Sequence, residues 1–97
     1  MSEPMFYVLL SLLEKARCGS EIASYVQELT NERISLPPGT LYGITGKFLK
    51  SGMIKELPSD NNQRYYSITR DGRNALKDEI SRLQMQLRDT QTVYQTL

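Results

Sequence analysis

The segment from Pro38 to Arg73 constrains the fold most, because it changes from a helical pattern to a strand pattern and back. Proline is favoured in the first turn of a helix, and Gly52 is suited to the left-handed conformation that ends one. In the next two stretches, 53–57 and 63–68, apolar and polar residues alternate as in half-buried strands. The polar run between them is rich in turn-forming residues. The segment therefore predicts a helix, a β-hairpin and the start of another helix.

The last helix is predicted to begin after Thr69, which can cap it, and to carry an apolar stripe along its length. The stripe has the alternating spacing of four and three residues that defines a heptad seam. Its positions are Leu76, Ile80, Leu83, Leu87, Thr90, Tyr94 and Leu97, and Thr90 is the one polar residue among them. A helix over residues 70–97 would extend roughly 40 Å, which is further than a small core can cover. Packing within one chain explains the seam only as far as Leu83, so the remainder predicts dimerisation with a second copy.

Two further helices are expected before this segment. The first runs from about Glu3 to Ala16, with Ser2 as its cap, and ends at Cys18-Gly19, where Gly19 is able to take a positive φ. Its apolar residues spread beyond one face, which favours cover by a second chain. The second runs from about Glu21 to Leu29, with Ser20 as its cap. Its expected buried stripe is Ile22, Val26 and Leu29.

These elements predict a chain that is mainly α with a small β-hairpin. The arrangement is a winged helix-turn-helix over residues 1–73, followed by a long C-terminal dimerisation helix over residues 74–97 of the same compact unit. A chain of 97 residues that is 39% hydrophobic fits one folded domain. We find no apolar run of membrane-spanning length and no signal-peptide pattern, so we expect no membrane partner and a cytoplasmic location.

The sequence contains no histidine and one cysteine, Cys18. Histidine is the commonest general base and a frequent metal ligand, and no pair of acids stands in an apolar setting. We therefore expect no enzyme activity, no metal and no cofactor. Cys18 is interpreted as a small apolar residue at a helix end, with a redox-sensing thiol beside Arg17 as the alternative.

The third helix, expected over about 38–51, is predicted to have one buried and one bare face. A rotation of about 100° per residue places Ile44, Thr45 and Phe48 on the same side as Leu41. The opposite side holds Gly39, Gly43, Gly46 and Lys50, with Tyr42 and Lys47 at its flanks. Glycine in an exposed helix costs roughly 1 kcal/mol relative to alanine. A bare backbone face would let this helix approach a groove of another molecule closely. The alternative is that the glycines occur by chance and are tolerated near the start of the helix.

Charge is distributed unevenly along the chain, although the net charge is only +1. Residues 36–73 carry six basic and three acidic side chains, whereas the remainder carries six basic and eight acidic ones. A positive patch of this kind attracts phosphates and makes binding depend on salt.

We therefore interpret the third helix and hairpin as a surface for double-stranded DNA. Basic side chains and the hydroxyls of Thr40 and Tyr42 would contact phosphates, and the bare helix face would read bases in the major groove. The wing tip, with Asn61, would reach a neighbouring minor groove. The predicted DNA-binding residues are Pro38, Gly39, Thr40, Tyr42, Gly43, Gly46, Lys47, Lys50, Lys55, Asn62, Gln63 and Arg64.

The predicted homodimer also suggests where a small hydrophobic effector would bind. The interface is expected to use Phe6, Leu9, Leu10, Leu83, Leu87, Tyr94 and Leu97. Candidate residues for an effector pocket between the subunits are Met5, Phe6, Met85 and Tyr94, which are also suited to an ordinary core.

Several short motifs resemble those of the PadR family of bacterial transcriptional regulators. The sequence has PGTLY at Pro38–Tyr42, Gly-Met-Ile at Gly52–Ile54 and RYYSIT at Arg64–Thr69, followed by Gly72-Arg73 and then Leu76. Each motif is weak alone, but the order and spacing are specific, and the resemblance covers residues 5 to about 83.

The resemblance implies a winged-helix repressor that dimerises through its last helix, as in the short members of the family. In the family, the tyrosine matching Tyr42 and basic residues of the third helix and wing commonly contact DNA. Some short members bind planar aromatic drugs between subunits. This chain departs from the family pattern at Pro37, Thr45, Cys18–Ser20 and Asp60–Gln63, and it has no tryptophan. These departures bear more on the effector than on the fold.

A different class of function is a winged-helix module that binds proteins and not DNA. The low net charge of +1 keeps this alternative open, whereas the positive patch argues against it.

Overall fold

The computed structural model describes residues 1–97 and contains four helices and three short strands. In chain order these are α1 (Glu3–Ser11), β1 (Arg17–Cys18), α2 (Gly19–Leu29), α3 (Pro38–Ser51), β2 (Ile54–Leu57), β3 (Tyr65–Ile68) and α4 (Arg70–Gln95). The predicted class is confirmed: the chain is mainly helical, with a winged helix-turn-helix and a long final helix. None of the helices has the length and apolarity needed to cross a membrane.

Helix α1 is capped by Ser2, as expected, but it ends at Ser11 and not near Ala16. Two arginines from other elements donate to carbonyls at its last residue and just beyond it. Arg17 Nε donates to the Ser11 carbonyl at 2.6 Å, and Arg73 Nη2 donates to the Leu13 carbonyl at 3.2 Å. Carbonyls at the end of a helix lack partners inside it, so the bond from Arg17 satisfies the Ser11 carbonyl, and the bond from Arg73 holds the segment that follows.

The residues after α1 form a strand that the sequence did not predict. Arg17 and Cys18 pair with Tyr66 and Tyr65, so the sheet has three antiparallel strands in the order β1-β3-β2. The partners lie far apart in sequence, and two residues are too few to show an alternating pattern. The predicted hairpin is present as β2 and β3, with Ile54 opposite Ile68.

Helix α2 begins two residues earlier than predicted, because Cys18 and not Ser20 is its cap. The Cys18 amide donates to Glu21 Oε1 at 3.0 Å, which closes the first turn. The bond holds the pKa of the Glu21 carboxyl below its usual value. Gly19 is thus the first residue of α2 and not the end of α1, and it does not adopt a positive φ.

The C-terminal end of α2 corrects a second expectation. Leu29 is 49% exposed and not part of the core, whereas Thr30 is buried. The Thr30 hydroxyl donates to the Val26 carbonyl at 2.8 Å and accepts from the Ile34 amide at 3.0 Å. Because Thr30 occupies the inward position with both bonds made, Leu29 is left on the surface.

The core lies where α1, α2, α3, the sheet and the start of α4 meet. It is a cluster of thirteen buried apolar residues, among them Leu9, Ile22, Phe48, Tyr66 and Leu76. Helix α4 begins with Thr69, whose hydroxyl accepts from the Gly72 amide at 3.1 Å and donates to the Gly52 carbonyl at 2.6 Å. This residue therefore ties the end of α3 to the start of α4 and fixes the hairpin between them.

Candidate nucleic-acid interface

Helix α3 has the bounds that the sequence predicts, from Pro38 to Ser51, and Gly52 ends it at φ 77°. Its inward face is also as predicted. Leu41, Ile44, Thr45 and Phe48 are buried. The buried Thr45 hydroxyl donates to the Tyr42 carbonyl at 3.3 Å, so a polar side chain is tolerated on this face.

The opposite face of α3 is a strip of exposed backbone. A Cβ atom built on Gly39, Gly43 or Gly46 would meet no atom within 4 Å. The fold therefore does not require glycine at these positions. Alanine would fit and would favour the helix by roughly 0.5–1 kcal/mol at each interior site. The glycines make sense if another molecule approaches this face closely.

Exposed basic side chains lie on α3 and on the hairpin that follows it. Lys47 and Lys50 are exposed on α3, and Lys55 is exposed on β2. Arg64 Nε lies 3.3 Å from Glu56 Oε1 across the hairpin, in a pair whose side chains are 62% and 40% exposed. Exposed pairs of this kind contribute little free energy, so Arg64 is able to exchange Glu56 for a phosphate at small cost.

The tip of the wing is organised by Asn61. Its Oδ1 accepts from the Ser59 hydroxyl at 2.7 Å and from the Gln63 amide at 3.0 Å. Gln63 Oε1 in turn accepts from the Tyr65 hydroxyl at 3.2 Å. Asn61 is thus engaged within the turn, whereas Asn62 is exposed at the tip.

The start of α2, the first half of α3 and the wing tip line one open groove. Three predicted DNA-binding residues of the wing, Asn62, Gln63 and Arg64, line it together with Tyr42. Cys18, Gly19 and Ser20 form its other side. Sequence reasoning did not assign Gly19 or Ser20 to this surface, because it placed them between two helices. A correct start for α2 would have located them, and Glu21 three residues after Cys18 was the available signal.

Cys18 itself is buried and unpaired with another cysteine. Its Sγ lies 3.3 Å from the Ser20 hydroxyl. Cys18 is therefore a small buried residue at the start of α2, and not at the end of α1 as we had expected.

The heptad seam of α4 changes environment along its length. Leu76 is 1% exposed and Ile80 is partly buried, but Leu83, Leu87 and Tyr94 are 39%, 59% and 71% exposed. The chain's own core therefore covers the seam only to about the point that the sequence indicates.

The structure corrects one residue of the predicted dimer interface. Leu9 is fully buried in the chain's own core and has no surface for a second chain. Phe6 and Leu10 are only partly buried against that core. The four candidate effector residues do not meet within one chain: Phe6 lines a groove beside α4, whereas Met85 and Tyr94 are exposed further along that helix.

Near its start, α4 carries a buried carboxylate that sequence reasoning missed. Glu79 is 9% exposed, and its two carboxylate oxygens accept from Arg82 at 2.9 and 2.7 Å. The Met1 amino group lies 3.6 Å from Glu79 Oε2. The bonds from Arg82 lower the pKa of Glu79 from 4.5 to about 2. The bonds from Arg82 thus lie within α4, and the contact with Met1 joins this helix to the residues just before α1.

Many solved structures share this fold, among them the following three. A transcriptional regulator from Clostridium thermocellum has a TM-score of 0.83 at 23% identity, over 95% of this chain and 96% of its own. A PadR family regulator from hypervirulent Clostridium difficile has a TM-score of 0.81 at 20% identity, over 94% and 97%. Bacillus subtilis PadR, solved in complex with operator DNA, has a TM-score of 0.71 at 21% identity, over 78% and 45%. Comparison with curated proteins gave no match.

The fold and the surface define a winged-helix protein whose third helix presents a bare face bordered by lysines. The family model described as "Transcriptional regulator PadR-like family" matches residues 8–78, which is most of the chain. The chain therefore belongs to the PadR-like family of transcriptional regulators.

Proposed function

We propose that this protein is a homodimeric repressor that binds double-stranded DNA through α3 and the wing. The observation that carries the proposal is the α3 face on which Gly39, Gly43 and Gly46 leave the backbone bare. Lys47 and Lys50 lie on the same helix and are exposed. Membership of a family of transcriptional regulators, and a structural relative solved with operator DNA, support the same conclusion.

Contacts to the phosphates would supply most of the affinity. Lys47, Lys50, Lys55 and Arg64 would pair with phosphates on either side of the groove that α3 enters. The helix carries no arginine, asparagine or glutamine, the side chains best suited to bidentate contacts with purines. We therefore expect sequence preference to come partly from DNA shape and from apolar contacts.

The exposed part of the α4 seam is the proposed dimer contact. Leu83, Leu87 and Tyr94 form an exposed row on α4 that is interrupted by Thr90, and Leu97 follows just after the helix ends. The positions beside the row include the uncharged Gln84, Gln86 and Gln91. Such a row is costly in water and is buried when a second copy of the helix packs on it. Dimerisation would also double the basic surface and fix the distance between two copies of α3.

Repression would follow if the bound dimer covers a promoter. The resemblance to short PadR regulators supports this role, and it supports release by a small hydrophobic effector bound between the subunits. Phe6 and Leu83 line one groove beside the middle of α4, where such a ligand would contact both the core and the seam. Charged side chains, among them Glu79 and Arg82, line the same groove. We expect the protein to act in the cytoplasm, where a bacterial promoter is accessible.

The test is binding to DNA from the protein's own promoter, measured by gel shift at a low and a high salt concentration. The proposal predicts a complex that weakens steeply with salt. Replacing Lys50 and Arg64 by alanine should weaken it further, while the circular dichroism spectrum stays unchanged. A protein that binds no duplex, or whose binding ignores salt, would support the protein-interaction module in place of a DNA-binding repressor.

A further inference from the structure

Gly19, the first residue of α2, lies directly against the Tyr42 side chain of α3. A Cβ atom built on Gly19 would lie 3.3 Å from the Tyr42 hydroxyl oxygen and 3.6 Å from its Cε1. It would also lie 3.2 Å from Leu41 Cδ2. The ring of Tyr42 therefore rests on the backbone of α2, in space that any other residue would partly fill.

The contact leaves Tyr42 available to another molecule. Tyr42 is 51% exposed, although one side of its ring lies against Gly19. The ring is at the edge of the groove that Arg64 and the wing tip also line. A tyrosine held in one position loses less conformational freedom when its hydroxyl binds a ligand than a freely rotating one does.

We infer that Gly19 is a positioning residue, which holds the Tyr42 hydroxyl where it donates a hydrogen bond to a DNA phosphate. The inference rests on the proposed function, since it assigns a role in DNA binding to a residue that would not touch DNA. It also explains why glycine occurs at a helical position whose φ any residue can adopt.

In Gly19→Ala, the new methyl group would press on two side chains, Leu41 and Tyr42, which differ in how freely they can move. Leu41 is 3% exposed and held by the core, whereas half of the Tyr42 surface is free. The methyl group would come closer to both side chains than nine in ten Cβ contacts do. Tyr42 is the neighbour that is able to move, so we expect the ring to rotate away while α2 and the core remain folded.

The experiment is a double-mutant cycle of the full-length protein with the wild type, Gly19→Ala, Tyr42→Phe and the double variant. Each is titrated into a fluorescently labelled, mixed-sequence DNA duplex at low salt, and its unfolding midpoint is measured in parallel. A hydrogen bond to a charged group is worth about tenfold in affinity or more. We expect each single variant to bind about tenfold more weakly, with an unfolding midpoint close to that of the wild type.

The DNA affinity of the double variant distinguishes a positioning role for Gly19 from a purely structural one. Because both changes remove the same hydrogen bond, the double variant should bind about as well as Tyr42→Phe alone. Losses that multiply in the double variant, or wild-type affinity in Gly19→Ala, would overturn the inference while leaving the proposed function intact.

If Gly19→Ala does not fold, the DNA affinity of Tyr42→Phe still tests the inference. This variant removes only the hydroxyl, so wild-type affinity in it would show that Tyr42 donates no bond to DNA and would overturn the inference. A wild-type protein that binds no duplex would remove the proposed function, and the inference with it.

Discussion

Leu76 and Leu83 lie on the same stripe of α4, two turns apart, yet Leu76 is 1% exposed and Leu83 is 39% exposed. The boundary of the core falls between them. Beyond it the stripe continues through Leu87 and Tyr94 with no partner from the chain itself. The apolar stripe of α4 thus extends beyond the core that covers its first part, and this exposed remainder is the structural basis for the proposed dimer.

The dimer is tested by placing a charge on the stripe. Leu87→Asp should give a monomer, because the carboxylate would be buried without a partner in the interface. Sedimentation velocity measures the outcome. Met85→Asp is the matched control, since Met85 is 61% exposed but lies on the opposite side of α4. If Leu87→Asp sediments as a dimer, the α4 stripe is not the interface.

The bare face of α3 is tested by filling it. Gly46→Ala should stabilise the free protein by about 0.5–1 kcal/mol, because alanine favours the helix and meets no neighbour. The same variant should bind DNA more weakly, because the added methyl group would keep the α3 backbone away from the major groove of the DNA. Urea unfolding and DNA titration give the two numbers.

A matched substitution at Gly52 gives the opposite result for stability. Gly52→Ala should destabilise the protein, because this residue has φ 77° and ends α3. A Gly46→Ala protein that is more stable and also binds DNA as tightly as the wild type would show that the bare face is not used.

Gly72 is required by packing and not by backbone conformation. A Cβ atom on it would lie 2.0 Å from the Met53 carbonyl oxygen and 2.8 Å from Ile68 Cγ1. Gly72→Ala should therefore destabilise the protein by about 1–3 kcal/mol, the usual cost of overpacking, as the start of α4 is forced away from the hairpin. Urea unfolding measures this loss, and a change below about 0.5 kcal/mol would contradict the close packing.

Stability should fall in acid because of Glu79. The folded-state pKa of about 2 lies below the usual value of 4.5, since Arg82 donates two hydrogen bonds to the carboxylate. The contribution to stability is therefore present above about pH 4.5 and is lost as the pH falls toward 2. Unfolding midpoints measured across this range should fall less steeply in Glu79→Gln than in the wild type. Equal slopes would show that Glu79 does not couple to folding.

The sequence predicted α3, its glycine cap and the exposed stripe of α4 because their signals are local. Pro38 and Gly52 mark the two ends of α3 through the conformations that they themselves adopt. The heptad spacing shows one face of α4 from residues three or four positions apart. The early end of α1 could not be predicted in this way, because the arginines that bind there come from other elements: Arg17 donates to the carbonyl of its last residue, Ser11, and Arg73 donates to that of Leu13, just beyond it. Strand β1 likewise exists only through its pairing with β3.

The residues of the candidate site also divide into those that local signals predict and those whose place depends on other elements. The α3 face followed from helical periodicity, so its bare and buried sides were predicted residue by residue. Gly19 and Ser20 were missed because their place in the groove depends on where α2 begins. Leu9 was assigned to the interface because periodicity shows which residues are apolar, but not whether the chain or a partner covers them.

The salt dependence of DNA binding is the most direct test of the account. For a dimer in which each Lys50 contacts one phosphate, the logarithm of affinity should fall linearly with the logarithm of salt concentration, and Lys50→Ala should reduce that slope by about two. Arg88→Ala, which removes an exposed charge on α4 away from α3, should leave the slope unchanged. A wild-type slope near zero, or a Lys50→Ala slope equal to that of the wild type, would contradict binding through the α3 surface.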